Sequence, residues 1–188
     1  MIKKIALAAV LAAGSAAAAN AATVYASQVV SVNAPQTNVA PDRAIPANAL
    51  GAPDGKFYSL GFGGSIVLAF DKLVAGLGSI TEVTYNTTNY LEYAKVSTSL
   101  DGITWSTEIQ AFNAEAQNGE PLDFGPNPFK YIKITDVSPV VKGRDGFDLE
   151  SVGFEEYVPA PVPLPAAGLM LLGGLAGMGG LALRRKKA

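Results

Sequence analysis

The sequence predicts an all-β fold, an antiparallel β-sandwich of about eight strands, with an apolar segment at each end of the chain. Short alternating or apolar runs fill the middle of the chain, and none is a long amphipathic helix. Turn sequences rich in Asp and Gly separate these runs. Setting the two apolar ends aside leaves about 135 residues, which is enough for one domain with one hydrophobic core.

Eight runs predict the strands, and several share a period-2 alternation. They are Val24–Val32, Ser65–Phe70, Ile80–Thr87, Ala94–Leu100, Thr104–Ser106, Glu108–Phe112, Phe129–Thr135 and Phe147–Phe154. Turns are predicted between them at Pro53-Asp54-Gly55, Asp71-Lys72, Asp101-Gly102 and Asp145-Gly146, where Asp tolerates tight geometry and Gly supplies positive φ. This number of strands indicates a sandwich of jelly-roll type.

The alternation also predicts which side chains form the core. Three sets of residues are expected to face inward: Ile66, Leu68 and Phe70; Val96, Thr98 and Leu100; and Ile132 and Ile134. Two sheets that each bury one face are consistent with this pattern.

Composition excludes several kinds of chemistry. The chain has no His and no Cys, so it cannot form a Ser-His-Asp triad, a Cys nucleophile, a zinc site with nitrogen or sulfur ligands, or a disulfide. All 16 acidic residues lie between Asp42 and Glu156, where there are eight basic residues, a net charge of −8. We therefore expect no nucleic-acid partner.

Residues 1–21 have the features of an export signal. Lys3 and Lys4 precede an uncharged apolar run, and the segment ends in Ala19-Asn20-Ala21, which fits the small-x-small cleavage rule. We expect Sec-type export machinery to recognise this segment. The domain would then occupy residues 22–157.

The C-terminal region is predicted to anchor the exported chain. Residues 158–165 form a proline-rich, extended linker. Residues 166–183 are apolar and uncharged; as a helix they would rise about 27 Å, close to the thickness of a bilayer core. The tail, residues 184–188, begins with the basic cluster Arg184, Arg185, Lys186 and Lys187, which is expected to stay cytoplasmic.

The same region resembles a known sorting signal. Val162-Pro163-Leu164-Pro165-Ala166, the glycine-rich apolar segment and the basic tail are similar in kind and order to the VPLPA variant of the PEP-CTERM signal of Gram-negative bacteria. The resemblance implies an inner-membrane anchored precursor, cleavage by an exosortase, and transfer to the cell surface or the extracellular matrix. A plain tail anchor is the alternative.

The middle domain resembles the galactose-binding-like, discoidin-type β-sandwiches. The matching segments are Ala49–Gly55, Ser59–Gly61, Gly63–Leu68, Ser97–Trp105, Tyr131–Asp136 and Gly146–Leu149. The resemblance implies an eight-stranded jelly roll whose loops hold a calcium ion or a sugar.

Four acidic residues are candidates for a calcium site. Asp54, Asp145, Asp148 and Glu150 offer the hard oxygen ligands that this ion prefers. The alternative is that the first two form turns and the last two belong to a solvated strand face. As a catalytic acid–base pair they would need a cleft, which the sequence does not indicate, so we predict no enzymatic activity.

Four aromatic residues are candidates for sugar stacking: Phe57, Tyr58, Tyr90 and Tyr93. Exposed rings on loops pack against the apolar faces of sugars, and burial in the core is the competing interpretation. Ser99–Trp105 is one residue short of a sialidase Asp-box. We interpret it as a hairpin turn that directs Trp105 into the core. A tryptophan that stacks on a sugar is the alternative.

These observations predict an exported, non-catalytic domain that binds carbohydrate or matrix polymer. A purely structural protein of the cell surface or biofilm matrix is the second hypothesis, and a polysaccharide-acting enzyme is the third.

Overall fold

The computed structural model describes residues 22–35, 39–83, 90–112 and 121–159, and their regular structure is almost entirely β. The strands are β1 (Thr23–Tyr25), β2 (Gln28–Asn33), β3 (Tyr58–Ser59), β4 (Ser65–Glu82), β5 (Tyr93–Ser99), β6 (Ile109–Phe112), β7 (Leu122–Asp123), β8 (Phe129–Asp136) and β9 (Asp148–Glu156). One short 3-10 helix, Pro46–Ala49, precedes β3. The all-β prediction is confirmed.

Strand β4 connects the two layers of the sandwich. Its first part, 65–69, pairs with β2 on one side and β8 on the other. Strand β8 also pairs with β5, and β5 pairs with β6. Its second part, 74–82, pairs with β9, which in turn pairs with β1 and β3. Strand β7 pairs with β4 at Leu77 and Gly78. All pairings are antiparallel, as the jelly-roll prediction required.

The predicted turn at Asp71-Lys72 is wrong, because β4 continues through it: this strand of 18 residues, Ser65–Glu82, contains the first run and the start of the second. Residues 84–87 of the second run lie outside the described ranges. The pairing register shifts between Ala69 and Val74, so the strand bends instead of reversing. Polar contacts hold the exposed bend: the Ser27 hydroxyl donates to Asp71 at 2.6 Å, and Lys72 forms an ion pair with Glu156 at 2.6 Å.

Other strand boundaries also differ from prediction. The run 24–32 is divided into β1 and β2 because the backbone changes partners: Ala26 donates to Val152, whereas Ser27 donates to Ala69. Residues 104–106 form a bend and irregular backbone, not a strand. The two-residue strands β3 and β7 were not predicted, because they are too short to show a period.

The predicted core is largely confirmed. Ile66, Leu68 and Phe70 are buried. So are Ile132 and Ile134. Four aromatic rings extend this core, with centroids 5.0–6.0 Å apart and mostly edge-to-face: Phe70, Phe124, Phe129 and Phe154.

The predicted core position of Leu100 is wrong. Leu100 is 57% exposed, although Val96 and Thr98 of the same alternation are buried. The strand ends at Ser99, and the following turn rotates the backbone, so the period-2 alternation no longer applies to Leu100.

The carboxylate of Asp136 holds together two loops at one end of the sandwich. Asp136 is the last residue of β8 and is 2% exposed. It accepts hydrogen bonds from the backbone N–H of Gly63 and of Phe147, both at 3.0 Å, and from the Ser138 hydroxyl at 2.6 Å. The loop before β4 is thereby fixed to the loop between β8 and β9.

The described elements belong to one compact unit that ends at Tyr157. Val158 and Pro159, the described part of a second unit, have no regular structure. Within the described ranges, no helix is both long and apolar enough to cross a membrane. The predicted export signal 1–21, sorting motif 162–166, membrane segment 166–183 and basic tail 184–188 lie outside those ranges.

Replacing Gly146 with Ala should destabilise the domain more than the same change at Gly125. Both glycines have positive φ, +79° and +75°. A Cβ at Gly146 would lie 2.9 Å from Asp136 Oδ1, whereas one at Gly125 would meet no atom within 4 Å. In urea unfolding, we expect the free energy of unfolding to fall by about 3 kcal/mol for Gly146→Ala and by about 1 kcal/mol for Gly125→Ala. Equal losses would contradict crowding around the Asp136 carboxylate.

Candidate functional site

The two loops fixed by Asp136 border a surface cleft of about 490 Å³. Phe62 lines it from the loop before β4. The β8–β9 loop contributes Val140, Val141, Lys142 and Arg144. Val140 is 80% exposed and Val141 42%, so the cleft presents apolar surface next to two cationic side chains. This combination of apolar contact area and a few polar groups is typical of small-ligand sites.

Tyr90 supports the β8–β9 loop. Its hydroxyl donates a hydrogen bond to the Pro139 carbonyl at 2.9 Å, and the Arg144 guanidinium carbon lies 5.3 Å from its ring centroid. Burial, followed by the nearby Glu92 and Asp136 charges, raises the pKa of Tyr90 to about 12. The hydroxyl therefore remains a hydrogen-bond donor, and the ring restrains the guanidinium that lines the cleft.

None of the four predicted sugar-stacking residues, all of which the structure describes, is among the residues that line this cleft. Phe57 and Tyr58 are only 8% and 3% exposed, so the prediction that they are exposed stacking rings is wrong. Arg43 lies over the Phe57 ring, 5.9 Å from its centroid. Tyr93 is half-buried at the start of β5, where its backbone N–H donates to Ser138 Oγ at 3.0 Å.

The segment Ser99–Trp105 is a local turn, as interpreted from the sequence. Asp101 Oδ1 accepts hydrogen bonds from the N–H groups of Ile103 and Thr104, both at 2.8 Å. These bonds, together with one from the Ser99 hydroxyl, lower the pKa of Asp101 to about 2. Trp105, however, is half-buried and outside the core, so its predicted core position is wrong. The chain leaves the turn as irregular backbone and does not continue as an inward-facing strand.

The four predicted calcium ligands are not brought together as one set. Asp145 forms an ion pair with Arg43 at 2.9 Å, and the Ser59 hydroxyl contacts both Asp145 and Asp148. Exposed Asp54 accepts from the Lys56 N–H, and its pKa is lowered mainly by that bond. Glu150 accepts from the Gly55 N–H at 2.5 Å. Asp54 and Glu150 thus bond to two successive backbone N–H groups, those of Lys56 and Gly55, whereas Asp145 and Asp148 share the Ser59 hydroxyl.

Asp148 instead belongs to a buried acid cluster with Glu82 and Glu92. One carboxylate oxygen from each residue lies within 4.8 Å of the other two, and all three side chains are buried. Glu82 is the last residue of β4, and Glu92 lies just before β5. Neither glutamate was predicted as a site residue, although Glu82 occupies an inward position in phase with Ile80, which is a usable signal in the sequence.

The acid cluster holds protons or a compensating cation, because three carboxylates so close together and so poorly hydrated cannot all stay ionised alone. Burial, then Asp145 and Glu82, raises the pKa of Asp148 to about 7, against the lowering effects of the Ser59 hydroxyl and Arg43. Burial, followed by the interaction with Glu82, also raises the pKa of Glu92 far above its ordinary value. The donor set, three carboxylates, suits a hard divalent ion.

Comparison with known proteins identifies the fold but no family. No protein family model matches the chain, and no curated protein matches it. A pectin-binding carbohydrate-binding module aligns over 74% of this chain and 96% of its own length, with 20% identity and a TM-score of 0.50. The described domain shares that fold.

Two further modules give weaker alignments. The CBM32 of AlyQ, solved with 4,5-unsaturated mannuronic acid, aligns with 19% identity over 69% of this chain and 96% of its own, with a TM-score of 0.47. CBM32-3 of a family 31 glycoside hydrolase from Clostridium perfringens aligns with 17% identity over 66% and 91%, with a TM-score of 0.46.

The acid cluster should make the domain less stable as the pH rises. A raised carboxyl pKa means that the folded state keeps a proton that the unfolded state releases near pH 4. The contribution of Asp148 to stability is therefore complete below about pH 4 and is lost as the pH rises through about 7. The contribution of Glu92, whose pKa is raised to about 10, is lost over a wider range that begins at the same pH. In a chelating buffer at about pH 8, we expect Glu92→Gln to raise the melting temperature by about 3 °C. This shift corresponds to a gain of about 1 kcal/mol in the free energy of unfolding for a domain of this size.

The matched control is Glu155→Gln on β9, where the side chain is exposed. Thermal unfolding followed by circular dichroism from about pH 4 to about pH 8 should show a flatter profile for Glu92→Gln than for the unmodified protein or Glu155→Gln. Parallel profiles for all three proteins would show that the cluster is not the source of the pH dependence.

Proposed function

We propose that this chain carries a non-catalytic carbohydrate-binding domain that contacts a polysaccharide through the cleft at its loop end. The observation that carries the proposal is the composition of that cleft. Phe62 and the two exposed valines offer apolar surface for sugar ring faces, while Lys142 and Arg144 offer hydrogen-bond donors. The fold shared with a module described as pectin-binding supports this function.

The way the cleft is held also favours binding. Asp136 fixes both bordering loops, and Tyr90 supports the second one through its hydroxyl and its ring. A site that is already ordered loses little conformational entropy when its ligand binds. Weak contacts to a few sugar units can therefore give useful affinity.

The positions of the acidic residues support a binding role over hydrolysis. A glycosidase needs two carboxyl groups beside the scissile bond, about 5 Å apart or more. The residues described as lining the cleft include no Asp or Glu. Glu82, Glu92 and Asp148 are buried and do not line the cleft.

A glycan array probed with and without a chelator tests this function. We expect retention on at least one polysaccharide, and a loss of about tenfold in affinity, about 1.4 kcal/mol, for Phe62→Ala. The control is Phe124→Ala, the same change at a half-buried ring of the aromatic core. This variant should be less stable, but its folded molecules should bind the polysaccharide with unchanged affinity.

Absence of retention under both conditions would favour a purely structural matrix protein. Calcium stays a prediction that the chelator arm tests. Binding that disappears in chelator and returns with added calcium would support it, and binding unaffected by chelator would remove it.

We also propose that an exosortase recognises Val162–Ala166 and delivers the domain to the cell surface or extracellular matrix of a Gram-negative bacterium. The support is the order of motif, apolar segment and basic tail in the sequence. In this scheme the Sec-type signal is removed during export, and residues 166–183 hold the precursor in the inner membrane.

Intact-mass analysis of the cell-associated and released protein tests the sorting proposal. We expect a mature C-terminus near Pro165. Pro163→Ala combined with Pro165→Ala should leave the precursor uncleaved, while Pro159→Ala in the preceding linker should be processed normally. Released protein that retains Arg184 to Ala188 would refute processing.

A further inference from the structure

A second exposed apolar surface lies on the turn that follows β5. Leu100 and Ile103 on this turn are 57% and 82% exposed, and Trp105, directly after it, is half-buried and outside the core. Large apolar side chains that are exposed singly need no explanation, but a group of them in one place marks a site of interaction. We call Leu100, Ile103 and Trp105 the turn patch.

Trp105 lies in a row with Tyr131 across neighbouring segments of the sheet. The backbone N–H of Ser106 donates to the Thr98 carbonyl at 2.9 Å, which places Trp105 opposite Ser99. On the other side of Ser99, its pairing partner on β8 is Tyr131. Residues that oppose each other on antiparallel strands share a face of the sheet. The two aromatic residues therefore flank Ser99 on one face, with their Cα atoms about 10 Å apart.

This row projects from the outer face of the sheet. The alternate positions on the same two strands, Val96 on β5 and Ile132 on β8, are fully buried in the core. Because successive side chains of a strand point to opposite faces, Tyr131 points away from the core. It is half-buried, as Trp105 is. Both rings are therefore partly open to solvent on the same side of the domain.

Hydrogen bonds hold the turn patch in a fixed geometry. Asp101 accepts from two backbone N–H groups of the turn, and the Ser99 hydroxyl accepts from the Gly102 N–H at 2.9 Å. Gly102 also lies over Tyr131, because a Cβ at this position would be 3.7 Å from the ring. A surface that is ordered in this way loses little conformational entropy when a ligand binds.

The chemistry of this surface favours a polysaccharide. Aromatic rings pack on the apolar faces of sugar rings, and two aromatic residues separated along one sheet face suit successive units of an extended chain. A membrane is a poorer match. Backbone hydrogen bonds from Thr104 and Ile103 lower the pKa of exposed Asp101 to about 2, so this carboxylate stays ionised in the middle of the turn. Anionic lipid headgroups would repel it.

We propose that Trp105 and Tyr131 form a second contact for polysaccharide, with the exposed aliphatic side chains of the turn patch at its border. For its ligand class this inference rests on the proposed carbohydrate-binding function, but it uses none of the cleft residues. Strand β8 connects the two contacts. Asp136, which holds the cleft loops, lies five positions after Tyr131, or about 17 Å along the strand. One polymer chain can therefore occupy both contacts and bind with higher avidity.

Tryptophan fluorescence tests this contact directly, because Trp105 is the only tryptophan in the chain. The full chain is titrated with polygalacturonate, alginate and a neutral galactan. We expect a saturable shift of the emission to shorter wavelength with at least one polymer, because a stacked sugar displaces water from the indole. Phe62→Ala, which alters the cleft, should show a shift of the same size. Unchanged emission at polymer concentrations that saturate binding in affinity electrophoresis would overturn the proposal.

Substitutions in the turn patch measure its contribution. In affinity electrophoresis, Trp105→Ala should weaken binding of the same polymer about tenfold, whereas Trp105→Phe should retain most of the affinity because it keeps an aromatic face. Ile103→Ala removes a side chain that is 82% exposed, and it should weaken binding about threefold without affecting folding.

The control is Leu77→Ala on β4, where the side chain is 48% exposed. This variant should bind as the unmodified protein does, because it loses a comparable apolar side chain outside both contacts. Thermal unfolding verifies that each variant is folded.

The outcomes separate this inference from the function beneath it. If Trp105→Ala and Ile103→Ala bind as the unmodified protein does while Phe62→Ala binds more weakly, the second contact is overturned and the cleft remains. An emission shift with phosphatidylglycerol vesicles but with no polymer would assign the turn patch to membranes and overturn the proposal. Retention of no polymer removes both proposals.

Discussion

The loop end of this domain depends on one buried carboxylate. Asp136 ends β8 and accepts hydrogen bonds from two backbone amides that belong to different loops. A charged acceptor in such a poorly hydrated position must be fully satisfied, so the loops are restrained to the geometry that satisfies it. Separating those loops would remove the hydrogen bonds from the Gly63 and Phe147 N–H groups, so the carboxylate holds the loops where they border the cleft.

A second group of acids lies close to the same end and has the opposite character. The Asp136 carboxylate is surrounded by hydrogen-bond donors, whereas Glu82, Glu92 and Asp148 face one another. Tyr90 lies near both groups: burial raises its pKa first, and the charges of Glu92 and Asp136 raise it further.

The distribution of charge gives the domain its asymmetry. Acidic residues predominate overall, and several of them are buried or paired with lysines and arginines. The turn at 142–144 carries two cationic residues and lies next to apolar surface that remains exposed. Exposed apolar residues beside restrained hydrogen-bond donors are a feature of binding surfaces more than of structural ones.

The sequence by itself determined the all-β class, most strands and most of the core, because period-2 alternation is a local property that survives in Ile66 to Phe70 and in Ile132 and Ile134. Only the tertiary structure decided where a strand bends without turning, as at Asp71, and whether an aromatic such as Phe57 is covered. It also decided which acids meet. Asp148 lies with Glu82 and Glu92, which are distant from it in sequence, whereas Asp54 lies outside this cluster. The local sequence around these residues indicates neither result. Contacts between distant segments fix burial and proximity, and a local pattern contains no information about them.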